Sequence, residues 1–290
     1  MGRFEPTGRI DVPGLEHSVA NLPWGTLRGA FGPSDGSAGA RSNVPSALAV
    51  LRHAPLYAGL PDEIDEAFTV LEHHPLRDRL LYPVAVTVAP FLFDLVRRSS
   101  PLSSRITELI AEYTAAADTL DHHMRDRLVQ LVADHATEIM KWIGVHDRAV
   151  AALAVHVAAL RAPYVEALAP ATDLSPFALL ALLELDTAPG ISVQLATELL
   201  DDTDAHAVAR AAAAAFLTRF GDQTPSLRAR IAAALPPSAP AGLASFVGML
   251  WIPRIGRSPT VAECVGAQMP ERSRAVAFRS WQRDLTMHRS

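Results

Sequence analysis

Cysteine and lysine are almost missing from this sequence of 290 residues, which has Cys264 as its single cysteine and Lys141 as its single lysine. One cysteine excludes a disulfide within the chain and every zinc site that needs several cysteines. A chain without disulfides suits a reducing compartment, so we expect a cytoplasmic protein. The sequence contains 26 Lys+Arg and 31 Asp+Glu residues, which gives a net charge of −5. This net negative charge argues against a basic surface that binds the phosphates of a nucleic acid.

Long apolar runs are missing as well. The longest one, residues 80–96, is interrupted by Pro83, Pro90 and Asp94. It is about one helical turn short of a comfortable membrane span, so we expect a buried helix and no membrane contact. The first residues contain no apolar segment of the kind that marks a secretory signal. Hydrophobic residues make up 49% of the chain, which is enough for a sizeable core.

The residues that are present predict an all-α protein with three parts. Residues 1–46 are rich in Gly, Pro and Ser and predict an extended N-terminal arm. Residues 47–238 form the predicted repeat domain, and residues 239–290 form a predicted C-terminal helical cap or arm. Helical periodicity with little strand-like alternation predicts helices over residues 45–53, 61–73, 76–98, 102–117, 122–143 and 147–161. Ser175 before Pro176 predicts a helix start, and Gly221 predicts a helix end.

Two stretches of the sequence nearly repeat each other. The first pattern is EHHPLRDRL at residues 72–80, and the second pattern is DHHMRDRL at residues 121–128. Their arginines Arg77 and Arg125 lie 48 residues apart, which is close to the roughly 40 to 47 residues of HEAT and armadillo helix pairs. The spacing indicates a stacked helical array.

Two further motifs carry a resemblance to a known family. Residues 24–32 read WGTLRGAFG, and Tyr82-Pro83 is followed by Pro90-Phe91-Leu92. Over residues 22–235 the chain resembles HEAT-like helical-repeat proteins of the actinomycete type. The resemblance implies a right-handed superhelical stack of helix pairs that binds other macromolecules. Relatives often carry His-Gln-Gly before the tyrosine segment, whereas this chain has Arg77-Asp78-Arg79, so any role of that triplet does not transfer.

The two patterns also predict a binding site. On a helical wheel Arg125 lies on the apolar stripe, and Arg77 is expected at the equivalent place of the preceding repeat. Guanidinium groups match carboxylate, phosphate and sulfate, so two such arginines could form an anion site between repeats. Alternatively, they pair with Asp118, Asp121 or Glu72 and hold the joints together. The predicted ligand-binding residues are Arg77, Arg79, Tyr82, His122, His123, Arg125, His135 and Trp142.

Candidate catalytic residues follow from the same segment. Asp126, Glu138 and Lys141 could act as acid, base or nucleophile beside a bound anion. The paired histidines suggest metal binding, but adjacent histidines on a helix point about 100° apart and chelate poorly. We therefore predict no metal and no cofactor.

Three functions fit these patterns. The first is a helical-repeat binding protein that recognises a protein partner, such as another subunit or a carrier protein, or a small anionic ligand, in a concave groove. The second is a natural-product tailoring enzyme that closes a C–N ring while Arg and His hold a departing sulfate or phosphate. The third is a HEAT-like DNA glycosylase, which the negative net charge opposes.

Overall fold

A computed structural model describes residues 19, 21–53, 61–77, 80–97, 102–205, 207–222 and 224–234. Most of the N-terminal arm before Leu22, the predicted site residue Arg79 and the whole predicted C-terminal cap lie outside these residues. The chain divides into a first unit, residues 1–77 with 82–84, and a second unit, residues 78–81 with 85–290.

The described residues are mostly helical, which confirms the all-α prediction. Helices α1 to α12 are Val44–His53, Pro61–His73, Val84–Arg97, Ser103–Ala115, His122–Asp134, Ala136–Met140, Asp147–His156, Ala158–Leu168, Pro176–Glu184, Ser192–Asp201, Ala207–Phe220 and Pro225–Ala234. Short 3-10 helices cover Ala40–Ser42 and Ala117–Thr119. Within the described residues, the two-residue strands β1 to β4 cover Arg28–Gly29, Gly32–Pro33, Leu76–Arg77 and Leu80–Leu81.

The first unit consists of a small hairpin and two packed helices. Strands β1 and β2 are antiparallel, with Arg28 opposite Pro33 and Gly29 opposite Gly32. Helix α1 packs against α2. The apolar side chains of Leu48, Leu51 and Phe68 are almost fully buried between them. Burial of such side chains is the main stabilisation of these helices, because propensity alone is weak.

The second unit has its core around α7, α9 and α11. Every residue of α7 from Ala149 to Val155 is buried, as is every residue of α11 from Ala211 to Leu217. Helix α7 packs against α4 and α9, and α11 packs against α9, α10 and α12. The many buried alanines allow these helix axes to approach closely, since the interaxial distance depends on side-chain size.

Several helix ends are set by capping residues that the sequence shows. Ser175 caps α9 by accepting a hydrogen bond from the Ala178 N–H at 3.2 Å, and Asp121 caps α5 by accepting from the Met124 N–H at 2.9 Å. Helix α11 ends at Phe220, directly before Gly221. A Cβ at Gly221 would lie 2.7 Å from the Leu217 carbonyl oxygen, so only glycine fits there. The start at Ser175 and the end at Gly221 confirm the predictions.

Three predicted helices are wrong in extent. Residues 76–81 contain β3 and β4, and α3 begins only at Val84. Helical dihedrals are disfavoured at Tyr82, because this residue directly precedes Pro83. Residues 122–143 are interrupted at His135, whose N–H bonds the Val132 carbonyl three residues back. Residues 147–161 are interrupted at Val157, which has extended dihedrals (φ −111°, ψ 108°).

Candidate anion-binding pocket

A buried histidine organises the first unit. His74 follows the last residue of α2 and is fully buried. Its Nε2 lies 2.9 Å from Ser34 Oγ, and the Ser34 hydroxyl donates to the Leu27 carbonyl oxygen at 3.0 Å. Because the serine uses its single hydrogen on that carbonyl, it accepts from Nε2–H. The other ring nitrogen, Nδ1, then accepts from the Phe31 N–H at 3.4 Å, so the network assigns a neutral imidazole.

A backbone hydrogen bond also joins the hairpin to His74. The Ala30 N–H donates to the His74 carbonyl oxygen at 2.8 Å. Gly29 faces this carbonyl so closely that a Cβ would lie 2.6 Å from the oxygen. Burial lowers the pKa of His74, which agrees with the neutral ring. The hairpin is therefore held on the end of α2, and this contact fixes the position of Phe31.

A pocket of about 290 Å³ lies beside this network. It is lined by Phe31, Arg41, Thr69, His73 and Arg77. The guanidinium carbon of Arg77 lies 5.0 Å from the Phe31 ring centroid, a cation–π distance. Arg41 comes from the 3-10 helix and His73 from the end of α2. Two permanent positive charges and an imidazole around one depression can bind a carboxylate, phosphate or sulfate.

The sequence predicted only part of this pocket. Arg77 is a predicted ligand-binding residue, but it lies on β3 and not in the first turn of a helix. Arg41 was missed because it lies in a Gly- and Ser-rich segment that predicts a loop. His73 is not among the predicted ligand-binding residues, although the histidines beside the arginines are expected to help hold an anion. Predicted Tyr82 is partly exposed, and its N–H donates to the Pro75 carbonyl oxygen at 2.8 Å.

The second pattern has a different environment. Arg125 has a side chain that is 40% exposed, rather than the inward arginine that the helical wheel predicts. It lies 3.6 Å from Asp118 and 3.4 Å from Asp126. His122 Nδ1 lies 3.1 Å from Asp126, and His123 is exposed on the first turn of α5. These local ion pairs match the alternative in which Arg125 is satisfied by nearby acids.

Other predicted site residues of the second unit form an ion pair or stack on aromatic rings. Glu138 accepts a hydrogen bond from Arg97 Nε at 2.7 Å, and this bond raises the pKa of Arg97. The His135 ring stacks on Phe93 at 4.0 Å between centroids, and the buried Trp142 stacks on the same ring at 6.2 Å.

Lys141 is exposed directly after α6. Asp126 lies against His122 and Arg125, and Glu138 binds Arg97.

No group of three His, Cys, Asp or Glu residues that could hold a metal ion occurs among the described residues. Within the same part of the chain, no helix is long and apolar enough to cross a membrane. No protein-family model, curated protein or solved structure matches the chain.

Proposed function

We propose that this chain is a helical-repeat binding protein, and that the pocket of the first unit holds an anionic group presented by a protein partner. The observation that carries the proposal is the meeting of Arg41, His73 and Arg77 around one depression. Stacking on Phe31 orients the Arg77 guanidinium, which reduces the entropy lost when an anion binds. The succession of packed helices in the second unit supports a HEAT-like stack as the architecture.

The exposure of the pocket favours a protein partner over a free small molecule. Arg41, His73 and Arg77 are all exposed. Sites for small molecules usually enclose 70–90% of the ligand surface, and an open depression does not do so. A protruding acidic side chain or a phosphorylated residue needs less enclosure, because the rest of the partner supplies further contact area.

A direct test is fluorescence anisotropy with a dye-labelled hexaglutamate peptide. The double variant R41M/R77M keeps the length and apolar stems of both side chains but removes both charges. We expect it to bind at least about ten-fold more weakly than the natural chain, because each charge-assisted hydrogen bond contributes about 1.5–3 kcal/mol.

Arg28→Met is the matched control, since Arg28 is also an exposed arginine of the first unit but does not line the pocket. It should bind the peptide like the natural chain. Equal loss of affinity in R28M and R41M/R77M would show only nonspecific charge attraction, and unchanged binding in R41M/R77M would refute the pocket.

The enzyme hypothesis receives less support from this geometry. Ring closure with a departing anion needs a base beside the anion. The described lining of the pocket contains no carboxylate. The predicted bases Asp126 and Glu138 belong to the second unit, where each already contacts a cation.

A further inference from the structure

The contacts that hold the hairpin of β1 and β2 on the end of α2 converge on His74. The Ala30 N–H donates to its backbone carbonyl oxygen at 2.8 Å, and the Phe31 N–H donates to its ring Nδ1 at 3.4 Å. The other ring nitrogen, Nε2, donates to Ser34 Oγ at 2.9 Å. The Phe31 ring stacks on the imidazole with 6.0 Å between the centroids. The backbone, both ring nitrogens and the ring face of His74 therefore all take part in this attachment.

The imidazole is enclosed where the hairpin covers it. His74 and Ser34 have no accessible surface, so water does not reach the two ring nitrogens. A Cβ at Gly29 would overlap Nε2 of the ring, and only glycine allows the strand to approach this closely. The attached arrangement is therefore closely packed and dry.

This arrangement accommodates only the neutral imidazole. Nδ1 serves as an acceptor, so a proton added there would face the Phe31 N–H, which is also a donor. The result would be a buried positive charge with one N–H that lacks an acceptor, and both are costly. Once the hairpin has moved away, water can bond both N–H groups. Protonation of His74 and attachment of the hairpin therefore oppose each other.

The charged groups around His74 do not offset this cost. Those that carry or change charge between about pH 7.5 and 5 on the surrounding elements are Arg28 and Asp35 of the hairpin segment, Arg41 of the 3-10 helix, Glu72 and His73 of α2, and Arg77 of β3. Cations outnumber acids among them, and no carboxylate of the described residues contacts the ring. Burial therefore lowers the pKa of His74 without a compensating charge.

We propose that His74 is a pH-sensitive latch: when its ring takes up a proton, the hairpin leaves the end of α2. Phe31 leaves with the hairpin, and Arg77 loses the ring over which its guanidinium lies at 5.0 Å. The hairpin is attached above about pH 6.5, and the attachment weakens as the pH falls toward the lower pKa of the folded state. Release of the hairpin does not depend on anion binding, whereas its effect on the pocket rests on the proposed function.

Hydrogen exchange of the Ala30 amide measures the release, because this amide donates to the His74 backbone and becomes exposed when the hairpin leaves. Protection factors are compared, since intrinsic exchange itself depends on pH. We expect the Ala30 protection factor to fall at least about ten-fold from pH 7.5 to 5. Low concentrations of urea should hardly change it, whereas protection of Leu71 within α2 should respond steeply. Equal protection and equal urea dependence at Ala30 and Leu71 would show that only unfolding of the whole unit frees the hairpin, and would overturn the proposal.

The two adjacent histidines provide the variant and its matched control. His74→Gln replaces the two ring nitrogens by an amide N–H and an amide oxygen but takes up no proton. H74Q should keep the Ala30 protection factor within about two-fold over the same pH range. His73→Gln removes an exposed histidine and should retain the full pH dependence. A folded H74Q that retains the dependence, or an H73Q that loses it, would overturn the proposal, and the H73Q result decides alone if H74Q does not fold.

Inorganic sulfate separates the latch from the pocket, because its charge stays constant over this pH range. Since Phe31 lines the pocket only while the hairpin is attached, sulfate should raise the Ala30 protection factor at low pH in the natural chain but not in R41M/R77M. A pH dependence without any sulfate effect would support the latch and contradict the pocket. A sulfate effect without pH dependence would contradict the latch alone.

Discussion

The two sequence patterns with paired histidines and an Arg-Asp-Arg-Leu tail have unlike structures. In the first pattern His74 is fully buried against Ser34, and Arg77 lies over Phe31 at the edge of a pocket. In the second pattern His122 is exposed, and Arg125 pairs with Asp118 and Asp126 on the surface of α5. Nearly identical residues thus build a pocket in one place and a solvated helix start in the other.

The difference comes from the position of each pattern relative to its helix. The first pattern begins in the last turn of α2 and continues into β3, whereas the second begins at Asp121, the N-cap of α5, and continues into that helix. Pro75 lies within the first pattern and Pro83 follows it, and prolines at these positions disfavour a continuous helix, so Arg77 and Leu80 lie on the short strands β3 and β4. The spacing of 48 residues therefore does not relate structurally equivalent positions.

The largest expected effect separates the two histidine pairs. Replacing His74 by Ala removes a buried ring and leaves Ser34 Oγ and the Phe31 N–H without their partner. We expect the free energy of unfolding to fall by about 2–4 kcal/mol. His122→Ala should change it by less than about 0.5 kcal/mol, as is usual for exposed positions. Urea unfolding followed by circular dichroism measures both, and equal losses would contradict the distinction.

A smaller effect is expected from pH. Burial holds the pKa of His74 below its ordinary value of 6.5, so the unfolded chain binds this proton more readily than the folded chain. The free energy of unfolding contributed by His74 is complete above about pH 6.5 and is lost as the pH falls toward the lower pKa of the folded state.

Comparison with His74→Gln isolates this residue from the other histidines. The difference in unfolding free energy between the natural chain and H74Q should shrink as the pH is lowered from 7.5 to 5. A difference that stays constant over this range would mean that His74 does not titrate in the expected way.

The smallest effect is expected for the second arginine. Arg125→Met breaks ion pairs that are partly exposed, and such pairs contribute about 1 kcal/mol or less. R125M should unfold within about 1 kcal/mol of the natural chain and bind the hexaglutamate peptide with unchanged affinity. If a stably folded R125M lost binding of the peptide, the anion site would lie in the second pattern.

Local features of the fold were predictable, and contacts between distant residues were not. Ser175 and Gly221 mark helix ends through interactions within four residues, which the sequence shows directly. The contact between Ser34 and His74 joins residues 40 positions apart, and no periodicity predicts it. Arg77 is expected at a binding site from its charge, but Arg41 lies beside it only because the 3-10 helix Ala40–Ser42 packs against α2, a contact that no local pattern in the sequence predicts.

The central claim is that the first pattern, and not the second, forms an anion-binding pocket. Titration of the ¹⁵N-labelled chain with inorganic phosphate, followed by two-dimensional NMR, tests it most directly. We expect saturable shifts at the amides of Phe31, Arg41 and Arg77, and no comparable shifts at Asp118, Arg125 or Asp126. Saturable shifts at the second group without shifts at the first would contradict the account.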